Sequence, residues 1–576
     1  MSKLFSRAVH RKGLALLGIG GLVAVSVAVL PAAKAAGPTP FASAIFSASA
    51  NGSAVHVDAL NSGGTRVANA EVAYATSAVN SKGLATQALT ETSREVSPAR
   101  PTKDAFGKGI GLEVGLAQGP TDPGQLQLAA VAENDAPPTV ADQDQDLLGP
   151  LSLAPLAYAS ALHAHSHAKW NADTCVLGSD IASGLGYAAD AQLIDTGSGA
   201  SQLQTPVVAT DTPTRNVVQT FAHNTFVPNA DNSFGLQSQV EQTLAPITLF
   251  KGTPNELTIE VAGEWVLTAT ATGLAGKSTV TYHPANDPSI NPSTPILRVI
   301  QGGTIAGQLL FQDLGLPVPL INIPGVAEIS LGEPPRAIGG AAGSAPTVTD
   351  TTVSAAVDVV RIKLLDGSLG DIRVGHMEAR AIVPAGGISC PIPVTKSADP
   401  STVTSSTPGG NFTVSITIKN SFDCDLTGVS ATDEITRKSG TPTFSIVTGD
   451  SHNDPKAGAG ATFVNDKSGT HSSATYPALG TIPAGGTKVL KVVIHVASGS
   501  GVIQDIATAN GTLSCPGGNA IGRAVALTGS FTLLTTVAAT KVLARTGGSD
   551  IGLFAAAPMV ALLAGRRLRR SKRKHA

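Results

Sequence analysis

The 576-residue sequence predicts an all-β protein: an antiparallel β-sandwich in the N-terminal region, followed by a second sandwich nearer the C-terminus. Three observations predict this. Short segments alternate apolar and polar residues with period two, and Gly, Pro and Asn break them. The segments recur at intervals of roughly ten residues, as in antiparallel sandwiches. Charged residues are sparse at 14% and aromatics make up only 4%, so a core must rest on Val, Ile and Leu, which favour extended structure.

In chain order, the stretch from Phe41 to about Gln118 reads as strands such as 54–60 and 67–75, separated by the turns Asn51-Gly52 and Ser62-Gly63-Gly64. Residues 132–150 are acidic and carry Pro137-Pro138, which reads as a loop. Strands resume at 256–261, 265–271, 278–282 and 296–300, and again at 353–365 and 372–383. Between these groups, 309–338 is apolar but Pro-rich, so it reads as an irregular extended segment.

Residues 396–518 read as a separate domain with six or seven strands, at 412–419, 425–433, 445–447, 475–479, 487–496 and 505–513. An immunoglobulin-like sandwich fits that count and spacing. Residues 36–395 form the larger β-rich region, and 519–542 read as a short tether, strand-like over 525–535.

Within 396–518, the segments 413–420 and 426–433, the turn Leu479-Gly480-Thr481-Ile482-Pro483-Ala484-Gly485-Gly486 and the segment Ile506-Ala507-Thr508-Ala509 resemble the conserved-repeat modules of bacterial surface proteins. That resemblance implies a spacer or display module and brings no catalytic residues with it. In the larger region, Cys175 before Ser179-Asp180-Ile181-Ala182 and Gly375-His376-Met377-Glu378-Ala379 before Cys390 are similar to the exported regions of choice-of-anchor proteins.

The two ends carry processing signals. Lys3, Arg7, Arg11 and Lys12 precede an uncharged apolar stretch, 13–30, and the small-residue segment Ala33-Lys34-Ala35, the order of a secretory signal peptide spanning 1–35. At the other end Leu543-Ala544-Arg545-Thr546-Gly547 is followed by an apolar run, 551–565, and then by Arg566, Arg567, Arg569, Arg570, Lys572, Arg573 and Lys574. The run partitions into the bilayer while the basic cluster holds at the cytoplasmic face, so 551–574 makes a transient membrane contact and export pauses. At about fifteen residues, with Pro558 inside, the run is short for a permanent span.

This tripartite end, 543–576, resembles the cell-wall sorting signal of Gram-positive surface proteins, in the LAxTG form of high-GC actinobacteria. The resemblance implies that a sortase attacks the Thr546 carbonyl, that Gly547 leaves, and that an amine of the peptidoglycan precursor takes its place. Ala544 stands where Pro is commoner, which bears on the class of sortase. The expected location is the cell wall by covalent attachment, and a membrane-anchored C-terminus is the alternative.

Removing 1–35 takes away five basic groups, and removing everything after Thr546 takes away seven basic groups and Asp550. The mature span therefore carries 27 basic against 40 acidic residues, a formal charge of −13. An acidic product without a basic block argues against nucleic acid as a partner and reads as a solvated exterior. Four cysteines in an exported chain point to disulfides rather than thiolate metal sites. Of three possible connectivities, proximity suggests Cys424 with Cys515 and Cys175 with Cys390.

Candidate chemistry is thin. His163, His165 and His167 alternate, so on a strand all three imidazoles face one side, where they could share a metal; otherwise they form a solvent-facing run beside Trp170. Asp173 is the only carboxylate near them in sequence. Gly184-Leu185-Gly186-Tyr187-Ala188-Ala189 matches a dinucleotide-binding fingerprint but lacks its strand–helix setting. Gly276-Lys277-Ser278 reads as a hairpin turn, and Gly449-Asp450-Ser451-His452 as a loop turn. No G-x-S-x-G elbow or H-E-x-x-H helix occurs in the sequence.

These readings favour a sortase-anchored surface protein with a structural, adhesive or display role, no cofactor and an unknown surface ligand, rather than an enzyme. The alternative is a secreted metal-binding or hydrolytic enzyme tethered to the wall, with its site in 36–395.

Overall fold

The computed structural model describes residues 37–538 except 63–64, 83–103, 117–124, 154–156, 190–191, 196–200, 205–216, 250–253, 255, 262, 285–292, 315–319, 325–326, 365–369, 405–409, 449–451, 454–459 and 516–523. Among the described residues every regular element is a strand, apart from the three-residue 3-10 turns Phe41–Ser43 and Phe311–Asp313. The fold is all-β and sandwich-like throughout.

The N-terminal region packs a fifteen-stranded sheet on a nine-stranded one. In the larger sheet Ala182–Ala189 lies between Ala157–Ala168 and Val217–Pro228, and Phe234–Thr243 and Glu264–Ala271 follow. In the smaller sheet the order runs from Thr352–Leu364 through Gly370–Ile382, Ser47–Ser62, Thr65–Asn80 and Ala105–Leu116 to Gln125–Ala136. The first long strand thus pairs along its length with one more than three hundred residues later, which closes the region on itself.

Over part of their contact the two sheets meet through glycine. A Cβ on Gly109 would stand 1.9 Å from the Leu185 carbonyl oxygen, and one on Gly186 would stand 2.3 Å from that of Tyr74. Stacked sheets ordinarily lie about 10 Å apart with side chains between them. Here backbone approaches backbone, and only hydrogen fits at those positions. The fingerprint-like glycines 184 and 186 therefore serve sheet packing, inside the strand Ala182–Ala189.

The smaller sheet carries a second device. At one level six of its strands each hold a residue that makes no ladder pair: Val359, Gly375, Ala54, Ala73, Gly111 and Ala130. Three of them, Ala73, Ala130 and Gly375, have positive φ. One extra residue inverts the faces of a strand. Because both partners of every pair carry it, the register is the same on either side, and the polar positions step by three across the level, from Ser53 to His56 and from Arg373 to His376.

The C-terminal sandwich has a five-stranded sheet ordered Val394–Asp399, Gly410–Lys419, Thr487–Ser498, Thr443–Ile446, and a six-stranded sheet containing Val525–Ala538, Gly501–Ser514, Asp425–Gly440 and His471–Ile482. Phe412, Val414, Ile416 and Ile418 point inward from one strand, as do Leu490, Val492, Ile494 and Val496 from its neighbour.

Two sequence expectations are corrected. The tether assigned to 519–542 contains the strand Val525–Ala538, which runs antiparallel to Gly501–Ser514 from Val525 to Val537. Its alternation buries Val525, Leu527 and Val537, so the sandwich extends through Ala538. The loop read at 132–150 also gives way to strands, Gln125–Ala136 and Gln143–Leu153, with only the segment around Pro137-Pro138 turning between them.

The sandwiches meet at a bonded seam. The Asp423 amide donates to the Leu177 carbonyl at 3.0 Å, and the Asp423 side chain takes Lys169 and the Ser179 hydroxyl. Thr174 Oγ1 donates to the Pro391 carbonyl at 2.7 Å. Disulfides join Cys175 to Cys390 and Cys424 to Cys515, the second lying against Gly178 of the N-terminal region.

Candidate functional site

The histidines singled out by sequence lie on the strand Ala157–Ala168, all on one face, and the paired strand Gln143–Leu153 and the residue just before it supply their partners. His163 Nδ1 lies 2.7 Å from Asp146, His165 Nδ1 2.9 Å from Asp144, and His167 Nδ1 2.6 Å from Asp142. Three histidines at alternate positions thus face three aspartates at alternate positions across an antiparallel hairpin. Asp173, the carboxylate nearest in sequence, is not among them.

Same-face neighbours on a strand stand about 7 Å apart, whereas ligands must all lie within about 2 Å of one ion, so a straight row does not converge. Among the described residues no group of three or more His, Cys, Asp or Glu is placed to hold a metal. The arrangement is a ladder of half-exposed pairs in which Asp144 also stands 4.0 Å from His163 Nε2.

A second set of histidines is buried in the polar face of the smaller N-terminal sheet. His376 directs Nδ1 to Asp358 at 2.6 Å and Nε2 to Glu378 at 3.2 Å. Arg336 donates to the other oxygen of Asp358 at 3.0 Å, and the Asn51 amide reaches Glu378 at 3.4 Å. One level along, His56 directs Nδ1 to Glu71 at 3.0 Å and Nε2 to Asp58 at 3.3 Å. Period two on neighbouring strands brings these residues together: Asp358 pairs with His376 and His56 with Glu71 in the ladders.

The electrostatics follow from that crowding. Burial by itself would lower His376, but the Asp358 carboxylate and the hydrogen bonds to Asp358 and Glu378 lift it to about 9. Burial likewise opposes His56, and Asp58 and Glu71 lift it to about 9. Burial pushes Asp358 up, yet His376, Arg373 and Arg336 outweigh it and hold the carboxyl well below the usual carboxylate range. Both imidazoles therefore carry two N–H donors at neutral pH, each facing a carboxylate.

A general base must take a proton from something it can reach. His376 is fully buried and His56 almost so, and both of their protons are already committed. The lattice ties neighbouring strands of the sheet together through buried ion pairs. Nothing in the sequence pattern singles these polar residues out, since period two does not say whether a polar face is covered.

The motif residues Leu543, Ala544, Arg545, Thr546 and Gly547, the signal segment 1–35, the segment 551–574 and the turn at Gly449-Asp450-Ser451 lie outside the described residues. No protein-family model matches the chain, and no curated protein is significantly similar to it.

Proposed function

We propose that this chain is an exported surface protein joined to a Gram-positive cell wall at Thr546, where it serves a structural, adhesive or display role and not an enzymatic one. The observation that carries the reading is the order of the C-terminal parts: the pentapeptide 543–547, an apolar run and a seven-residue basic cluster. Each part has a physical task. The run and the basic cluster stop translocation, and the stop leaves the Thr546 carbonyl outside the bilayer for a membrane transpeptidase.

Two disulfide-linked sandwiches with an acidic exterior suit an oxidising, extracytoplasmic setting. The last described strand ends at Ala538, eight residues before Thr546. Eight residues span at most about 26 Å. Attachment at Thr546 would hold the C-terminal sandwich within the wall or at its surface rather than on a stalk.

The test is mass spectrometry of the C-terminal peptide from protein released by muralytic digestion of cell envelopes. A peptide ending at Thr546 with a wall-peptide remnant is expected. A chain intact through Ala576 in the membrane fraction would replace wall attachment with a membrane anchor.

A further inference from the structure

Among the described residues a charged cluster lies between the two C-terminal sheets, in a largely apolar interior. Lys396, on Val394–Asp399, places Nζ against Oδ1 of Asp433 and Oδ1 of Asp505, on the adjacent strands Asp425–Gly440 and Gly501–Ser514 of the opposite sheet. The side chains of Lys396 and Asp433 have no exposed surface and that of Asp505 almost none. Among the described residues the Oδ2 atoms of both aspartates have no hydrogen-bond partner. Ile416, Ile435, Ile503 and Tyr476 are also buried in this sandwich.

As a salt bridge this is a poor arrangement. Burying three ionised groups costs several kcal/mol each unless hydrogen bonds satisfy every lone pair, and two oxygens here have none. Burial, with the Asp505 charge beside it, raises Asp433 well above the ordinary carboxylate range, which favours its un-ionised form. An amine, an un-ionised carboxyl and a carboxylate able to accept a proton thus stand in contact, with water excluded. Those are the components of amide condensation, and contact of this kind supplies effective molarities on the order of 10⁵ M or more.

We propose that Lys396 and Asp433 become joined by an intramolecular amide between Nζ and Cγ, with Asp505 as the proton acceptor. The Asp505 carboxylate takes one proton from the Lys396 ammonium. The freed amine attacks Cγ of the Asp433 carboxylic acid and forms the N–C bond. The Cγ–OH bond breaks, and the hydroxyl leaves with a second nitrogen proton as water. The third proton stays on the amide nitrogen, and Asp505 is left neutral. No oxidant or co-reactant is needed, and the buried cluster ends without charge.

Intact-mass measurement of the denatured, reduced mature protein tests this. The expected mass is one water below that of the sequence, with a branched tryptic peptide joining the segments around Lys396 and Asp433. The full sequence mass, with a linear peptide cleaved after Lys396, would overturn the proposal. Asp505→Asn should restore the full mass. A water deficit that persists in that variant, or a branch point at residue 505 in the wild type, would overturn the roles given to the two aspartates. Lys396→Arg, which lacks the attacking amine, fixes the mass of the unlinked chain.

Discussion

The two sandwiches reach the same architecture by opposite means. Apart from the Lys396 cluster, the C-terminal one fills its interior largely with apolar side chains, Val414 and Ile416 facing the same space as Val492 and Ile494. The N-terminal one brings parts of its sheets together by removing side chains, at Gly107, Gly109, Gly184 and Gly186, and buries a charged lattice around His56 and His376. Aliphatic packing tolerates modest changes of shape. A backbone-to-backbone contact and a closed set of buried charges do not, so the N-terminal region should be the part sensitive to small changes and to pH.

Both tryptophans, Trp170 and Trp265, belong to the N-terminal region, so their fluorescence reports that sandwich alone. The largest separation between the two halves is expected from Asp358→Ala, which leaves His376 and Arg336 buried without their shared partner. Breaking one member of a buried ionic set costs about 3–5 kcal/mol. Denaturant unfolding followed by tryptophan should shift by that amount, while hydrogen exchange of Gly501–Ser514 stays as in the wild type. Equal loss in both halves would mean that the two sandwiches unfold as one unit.

Alkaline pH should act on the same lattice. His56 and His376 sit near 9 when folded, against an unfolded value of 6.5. Their contribution is complete below pH 6.5 and is lost as the pH rises through 9, with an upper bound of about 3 kcal/mol per imidazole. Tryptophan-monitored stability should therefore fall between pH 6.5 and 9. A flat profile over that range would break the contrast.

A smaller effect sharpens it from the packing side. Gly109→Ala adds one methyl where a Cβ would meet the Leu185 oxygen at 1.9 Å, and overpacking of this kind costs about 1–3 kcal/mol. The tryptophan transition should report the loss. An unchanged midpoint would show that the sheets can part without penalty.

The fold class was legible because alternation and turn chemistry are local properties, and strands such as Thr487–Ser498 announce themselves by Val and Ile at every second position. The strand Gln143–Leu153 was not, because its acidic start after Pro137-Pro138 looks like a loop. The signal that could have found it is the mirrored period of Asp142, Asp144, Asp146 and His163, His165, His167. The buried lattice was illegible for a different reason. His56, Asp58 and Glu71 alternate as solvent-facing residues do, and only the assembled region reveals that the face is closed. Lys396 stood at a domain border in sequence, where nothing marked it as the residue that faces two aspartates from the opposite sheet.

The short pairing of Thr402–Thr404 with residues 536–538 is parallel, and it links the beginning of the C-terminal sandwich to its last strand. In a chain whose Lys396 and Asp433 are not joined, as in Lys396→Arg, a pull that enters near Val394 and leaves at Ala538 draws these two strands past each other along their length. Their hydrogen bonds are then loaded together in shear instead of being opened one at a time like a zipper. Resistance to tearing is set by an unfolding rate rather than by an equilibrium. An unlinked module held at one end and pulled at the other would owe its mechanical lifetime to these few residues, whereas the Lys396–Asp433 amide would carry the load past them.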